Sequence, residues 1–143
     1  MKLQEIFNKP TKYNWSYKSR DNWEGLFAVG EVEYVVEIEL EHEDETNKEV
    51  WQMIFGVKGS KTHQQRVGIT GTGNEFQVFA TVGKMFDDFV KSIKPTRVEF
   101  TAKEKSRQKL YDRFIRIAAK KYNFDVSTGK DSYGNRLYRM DKK

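Results

Sequence analysis

The sequence predicts an α+β fold in which a mixed, mostly antiparallel sheet contains a central strand-helix-strand-helix segment. Across residues 32–40, apolar residues alternate with glutamates, and this period of two is typical of a strand with one buried face. Across residues 75–93, apolar residues recur at helical spacing, which predicts a largely buried helix that ends before Pro95. The predicted order of elements is ββββ-α-β-α-ββ.

Shorter apolar segments predict the remaining strands of the N-terminal half. These strands are expected at residues 13–17, 26–29, 50–57 and 67–70. Only a charged turn separates residues 50–57 from residues 32–40, so these two strands are expected to pair antiparallel.

The C-terminal half continues the pattern. Residues 97–102 alternate as a strand that is expected to lie parallel to residues 67–70, with the long helix as a right-handed crossover. A second helix, with a basic outer face, is predicted over residues 105–122. Residues 124–126 and 135–140 are expected to form a closing hairpin. Because the sequence has no internal repeat and no low-complexity linker, residues 1–143 are interpreted as a single domain.

Length and composition restrict the class of protein. The chain has 143 residues, of which 37% are hydrophobic and 14% aromatic, so it has enough large apolar side chains for one core. It has no cysteine, which excludes a disulfide framework and a cysteine nucleophile, and its two histidines lack the spacing of a metal site. No apolar segment approaches the length of a membrane span, and the N-terminus lacks the apolar region of a signal peptide. A cytoplasmic protein with no metal and no membrane partner is therefore expected.

Charge is distributed unevenly along the chain, whose net charge is +5. Residues 31–49 contain nine acids and one base, a net charge of −8. Residues 91–143 contain sixteen Lys and Arg and six acids, a net charge of +10. A basic segment of this kind attracts nucleic acid, nucleotide phosphates or an acidic partner, although charged helix faces are also common as purely solvated surfaces.

A glycine-rich segment, residues 68–73, connects a predicted strand to the start of the long helix. Glycine lets a ligand approach the backbone closely, and the free amide groups at a helix N-terminus bind phosphate. Candidates for holding a pyrophosphate are therefore Gly71, Thr72, Gly73 and Asn74. A tight strand-to-helix connection also requires glycine, so this segment by itself leaves a purely structural role open.

Two motifs and the order of elements resemble the GCN5-related N-acetyltransferase (GNAT) superfamily over residues 30–140. Its loop reads Q/R-x-x-G-x-G/A; Gly71 and Gly73 match the two glycines, whereas Gly68 stands where Gln or Arg is usual. Leu110 and Tyr111 match the Leu-Tyr pair of a later helix in that superfamily. The resemblance implies an acyl-coenzyme A ligand, with Tyr111 protonating the leaving thiolate. Two helices that follow the first strand in the superfamily are hardly visible in this sequence.

The leading hypothesis is therefore an acetyltransferase-like protein that binds acetyl-CoA or another acyl-CoA and transfers the acyl group to an amine. Backbone amides of the glycine-rich segment would hold the pyrophosphate, assisted by Arg66. Glu99 is a candidate general base by its position, and the acidic strand around Glu37 and Glu39 would attract a cationic acceptor. Ordinary packing in an amphipathic helix is an equal alternative for Tyr111.

The alternative hypothesis is a noncatalytic protein that recognises nucleic acid or a host protein through its basic C-terminal half. The chain is also similar to small phage-encoded proteins, which would place it in the host cytoplasm. Stacking on bases would come from Tyr122 or Tyr138. Contacts to phosphates would come from Lys103, Lys105, Arg107, Lys109, Arg113, Arg116, Lys120 and Lys121.

Overall fold

The computed structural model describes residues 10–42, 48–58, 75–102 and 108–143, which form one seven-stranded sheet and two helices. The strands are β1 (Tyr13–Lys18), β2 (Asn22–Val29), β3 (Val32–His42), β4 (Glu49–Val57), β5 (Arg97–Ala102), β6 (Phe124–Lys130) and β7 (Arg136–Lys142). The helices are α1 (Glu75–Ile93) and α2 (Gln108–Tyr122). The predicted α+β class and the mostly antiparallel mixed sheet are therefore confirmed.

The strands lie in the order β1-β2-β3-β4-β5-β7-β6, and every neighbouring pair is antiparallel except β4 and β5. The predicted pairing of residues 50–57 with residues 32–40 and the closing hairpin are both present. In the described part of the chain the parallel neighbour of β5 is β4, whereas the prediction places residues 67–70 beside it. Those residues lie outside the described part of the chain.

Residues with a left-handed backbone conformation lie where several strands and helices end. Gly30 has a φ of 63° in the turn between β2 and β3, a conformation that glycine adopts without steric cost. Lys94 and Asn123 have φ values of 53° and 64° in the position after the last residue of α1 and α2. Helices commonly end on such a residue, and Pro95 prevents α1 from continuing.

Both helices pack against the same face of the sheet. Phe89 of α1 contacts Trp23 and Trp51, with ring centroids 5.5 and 5.0 Å apart. Tyr111 of α2 contacts Phe55 of β4, the same strand and the same face as Trp51, at 6.2 Å. Burial of these aromatic side chains is the main source of stability, since each removes a large apolar area from water. The opposite face of the sheet is covered by neither helix.

Gly25 allows β2 to pack closely against its neighbours. A Cβ at this position would overlap Cε of Met85 and lie 2.9 Å from the indole of Trp15. We therefore expect Gly25→Ala to lower the free energy of unfolding by about 1–3 kcal/mol, the usual effect of overpacking. Gly129→Ala in β6 is the control, because no atom lies within 4 Å of its Cβ position. Urea denaturation should leave this control within about 0.5 kcal/mol of the parent; equal losses in both variants would contradict the packing argument.

Candidate functional site

The helix-free face of the sheet contains a pocket of about 450 Å³, called here the open-face pocket. Five of its lining residues carry carboxylates, and no lysine or arginine lines it among the described residues. The pocket is therefore suited to a cationic group. Its lining consists of Glu37, Glu39, Glu41, Gln52, Ile54, Glu99, Thr101, Asp131, Ser132, Tyr133 and Leu137.

The period of two in β3 places its acids in this pocket. Val36 and Ile38 are buried on the helix side, so Glu37 and Glu39 project from the opposite side. The turn between β6 and β7 forms another wall. Its shape is held by Asp131, whose carboxylate accepts hydrogen bonds from the backbone N–H groups of Tyr133 (2.9 Å) and Asn135 (2.8 Å).

Glu99 is a fixed carboxylate in the pocket wall, only 8% exposed. Its Oε2 atom accepts a hydrogen bond from Nε of Arg139 at 2.8 Å and forms an ion pair with Nη2 of the same arginine at 2.8 Å. Its Oε1 atom accepts a hydrogen bond from the side-chain amide of Gln52. The position of Glu99 suits the predicted role of general base, but both of its oxygens already accept hydrogen bonds.

Backbone pairing between the two parallel strands, β4 and β5, stops beside this pocket. Their ladder has three pairs and ends at Met53 and Phe100, although β4 and β5 both continue beyond these residues. Ile54 and Thr101, the next residue of each strand, line the open-face pocket. Backbone pairing between β4 and β5 therefore stops at the carboxyl ends of the parallel pair, where ligands of open α/β sheets commonly bind.

Tyr111 lies on the other side of the sheet from this pocket. It has no exposed surface, and its ring packs against Phe79 at 5.3 Å and against Phe100 at 5.6 Å. Because Phe100 faces the helices and Glu99 faces the pocket, the structure does not bring the two predicted catalytic residues together. Tyr111 packs in the core, as expected from the alternative in which it is an ordinary buried residue of an amphipathic helix. The predicted cofactor residues Arg66, Gly71, Thr72, Gly73 and Asn74 lie outside the described residues.

On the helix side, Asp87 of α1 forms the centre of a charged cluster. Its side chain is 4% exposed, accepts a hydrogen bond from the Tyr122 hydroxyl at 2.5 Å and forms an ion pair with Lys91 at 2.9 Å. Lys84 and Lys121 lie 3.6 and 3.8 Å from the same carboxylate. Burial alone would raise the pKa of Asp87, but the Tyr122 and Lys91 hydrogen bonds and the nearby ammonium groups outweigh it and lower that pKa.

The outer face of α2 has four exposed cations, called here the α2 stripe: Lys109, Arg113, Arg116 and Lys120. Their spacing of four, three and four residues places them on one side of the helix. Within the described part of the chain, none of the four forms an ion pair with an acid. The other predicted phosphate contacts, Lys103, Lys105 and Arg107, lie outside the described residues.

The predicted stacking role of Tyr138 is wrong. This residue is 1% exposed, and its hydroxyl donates a hydrogen bond to Asp112 at 2.5 Å. Burial and the Asp112 carboxylate raise the pKa of Tyr138 to about 12. Tyr122 is half-buried, with its ring edge-on to Phe86 and its hydroxyl bound to Asp87.

Comparison with protein families gives one match. The model of DUF6934, a family of unknown function, matches residues 11–133. The chain belongs to DUF6934. The match spans β1 to β6 and therefore includes both helices and most of the sheet. A search of curated proteins found no match to this DUF6934 chain.

The described residues contain neither a membrane-spanning helix nor a metal-binding group. Neither helix of this DUF6934 member is long and apolar enough to cross a bilayer. The described His, Asp and Glu side chains form no group of three arranged to hold a metal ion.

The lowered pKa of Asp87 predicts a specific pH dependence of stability. The unfolded chain, with its ordinary pKa of 3.8, takes up a proton before the folded chain as the pH falls. The contribution of Asp87 to the free energy of unfolding is therefore present above pH 3.8 and is lost on further acidification.

In urea denaturation between about pH 3 and pH 6, the difference in stability between the parent and Asp87→Asn should become smaller toward the acidic end. Asp125→Asn is the control, since the Asp125 side chain is 73% exposed and lies 3.7 Å from Lys143, its one ion-pair partner among the described residues. A pH-independent difference between the parent and Asp87→Asn would be inconsistent with an ionised, hydrogen-bonded Asp87.

Proposed function

We propose that this protein binds an acyl-coenzyme A and transfers the acyl group to a cationic amine, on a core similar to that of the GNAT superfamily. The observation that carries the proposal is the end of backbone pairing between β4 and β5 after three paired residues, beside the open-face pocket. The observed succession of antiparallel strands, helix, strand, helix and closing hairpin is the order that the resemblance implies.

The point where β4 and β5 stop pairing suits the extended, amide-containing arm of coenzyme A. Strand edges that no longer pair with each other offer backbone donors and acceptors to an inserted chain with its own amide groups. In the sequence, Gly71–Asn74 directly precede α1, so a pyrophosphate held by these residues would meet the helix N-terminus. In this arrangement the thioester lies near Met53 and Phe100, where the ladder ends.

The open-face pocket would then receive the amine. The ammonium group first loses one proton; its nitrogen then attacks the thioester carbonyl, a C–N bond forms as the C–S bond breaks, and a second nitrogen proton goes to the leaving thiolate. Glu39 and Glu41 attract the cation and accept a proton from it directly or through water. Because Arg139 and Gln52 occupy both oxygens of Glu99, we assign Glu99 to orienting the acceptor.

The predicted role of Tyr111 as general acid requires the leaving sulfur to come close to the Tyr111 hydroxyl. The Tyr111 ring lies behind Phe55 and Phe100, one from each of the two parallel strands. A leaving sulfur would have to reach the hydroxyl between these strands. The role therefore stays a prediction, and it is tested separately from cofactor binding.

Acetyl-CoA should bind the folded protein, as measured by isothermal titration calorimetry. Gly73→Asp should weaken this binding at least about tenfold, because it places a carboxylate at the helix N-terminus where the pyrophosphate would lie. Gly129→Asp is the matched control, since it introduces the same side chain in open space on β6 and should leave the affinity unchanged. No heat of binding at millimolar acetyl-CoA, in protein that unfolds cooperatively, would overturn the proposal.

Tyr111→Phe should reduce turnover by about 10²–10⁴-fold without changing the affinity for acetyl-CoA, because general acid catalysis acts in the transition state. The matched control is Tyr138→Phe, which also removes one hydroxyl from a fully buried tyrosine. Turnover is measured as thiol release with a panel of polyamines and lysine-rich peptides. If both variants retain the activity of the parent, Tyr111 is a core aromatic residue and takes no part in the reaction.

A further inference from the structure

We propose that the α2 stripe is a docking surface for the phosphate backbone of duplex DNA. It belongs to the opposite side of the molecule from the open-face pocket and does not depend on acyl-CoA binding. Only cations that are not already bound to an acid are fully available to a partner.

Many cations of the C-terminal half are bound to acids of the same chain. Arg139 pairs with Glu99 at 2.8 Å, Arg97 with Asp141 at 2.5 Å and Arg136 with Asp112 at 3.5 Å. Lys84, Lys91 and Lys121 surround Asp87. The four residues of the α2 stripe differ, since no described acid pairs with them and all four side chains are exposed. The stripe therefore presents positive charge that no acid in the described part of the chain neutralises.

The stripe is rigid and has the length of a short run of phosphates. The opposite side of α2 is fixed in the core through Phe114, Ile115 and Ala118, which are at most 1% exposed. Lys109 and Lys120 are eleven residues apart, which corresponds to about 16 Å along a helix. Over that distance each strand of B-form DNA presents about five phosphates along the duplex axis, enough to engage all four cations.

Two observations favour duplex DNA over a single strand or RNA. Base stacking needs an exposed aromatic ring, but Tyr111 and Tyr138 are buried and the two exposed tyrosines, Tyr17 and Tyr133, lie on β1 and at the β6–β7 turn. In addition, an α-helix fits the major groove of B-form DNA, whereas the major groove of A-form RNA is too narrow.

The acidic open face restricts the orientation of binding. Glu37, Glu39 and Glu41 project from the side of the sheet that the helices do not cover, and their charges repel phosphates. DNA would consequently approach from the helix side, where α2 is exposed. Contacts of this kind read the backbone and not the bases, so the binding should be independent of sequence.

The test uses fluorescence anisotropy with a mixed-sequence duplex of about 20 base pairs at several salt concentrations. Four phosphate contacts predict that log K falls against log salt with a slope of about −3.6. The double variant Arg113→Gln/Arg116→Gln should halve this slope, to about −1.8, and weaken binding at least about tenfold at 0.1 M salt.

The matched control is Lys12→Gln/Lys130→Gln, which removes the same amount of charge next to the two edge strands. Lys12 directly precedes β1, and Lys130 is the last residue of β6. It should bind within about twofold of the parent with an unchanged slope, since neither lysine lies on the stripe. Absence of binding at low salt, equal losses in both double variants, or tighter binding to single-stranded DNA or duplex RNA would each overturn the proposal. Cooperative unfolding of every variant ensures that a loss is not caused by misfolding.

Discussion

The parallel pairing of β4 with β5 is the interaction on which the rest of this structure depends. Parallel neighbours cannot be joined by a hairpin, so the chain between them has to cross one face of the sheet, and α1 lies on that crossover. α2 then packs on the same face beside α1, and the aromatic side chains of both helices and of the central strands form one core. Neither α1 nor α2 covers the other face of the sheet.

This one-sided arrangement separates charge. The alternation in β3 directs apolar side chains into the core and glutamates to the helix-free face, while the cations of α2 lie on its outer side. Buried or half-buried acids accept hydrogen bonds from tyrosine hydroxyls at the boundaries: Asp88 accepts from Tyr13, Asp87 from Tyr122 and Asp112 from Tyr138, each at 2.5 Å. These bonds link elements distant in sequence and satisfy carboxylates that burial would otherwise destabilise.

The two proposed surfaces use opposite sides of the sheet and different chemistry. The open-face pocket combines a gap in backbone pairing with an acidic lining, so it suits an extended amide-bearing ligand and a cationic acceptor. The α2 stripe has only cations with long side chains and no binding cavity, so it suits a polyanion with many similar contacts. Because the helices and the core lie between them, neither surface obstructs the other.

Periodicity by itself determined most of the elements. The bounds of α1, the pairing of β3 with β4 and the closing hairpin follow from local spacing, because burying one face requires one residue pattern for a helix and another for a strand. The sequence also predicted that Glu99 lies on a strand, but not that Arg139 and Gln52 hold its carboxylate. Only the tertiary structure decided the parallel neighbour of β5, the complete burial of Tyr111 and Tyr138, and which cations keep no acidic partner among the described residues. Each of these depends on contacts between residues far apart in the chain, and local patterns carry no information about such contacts.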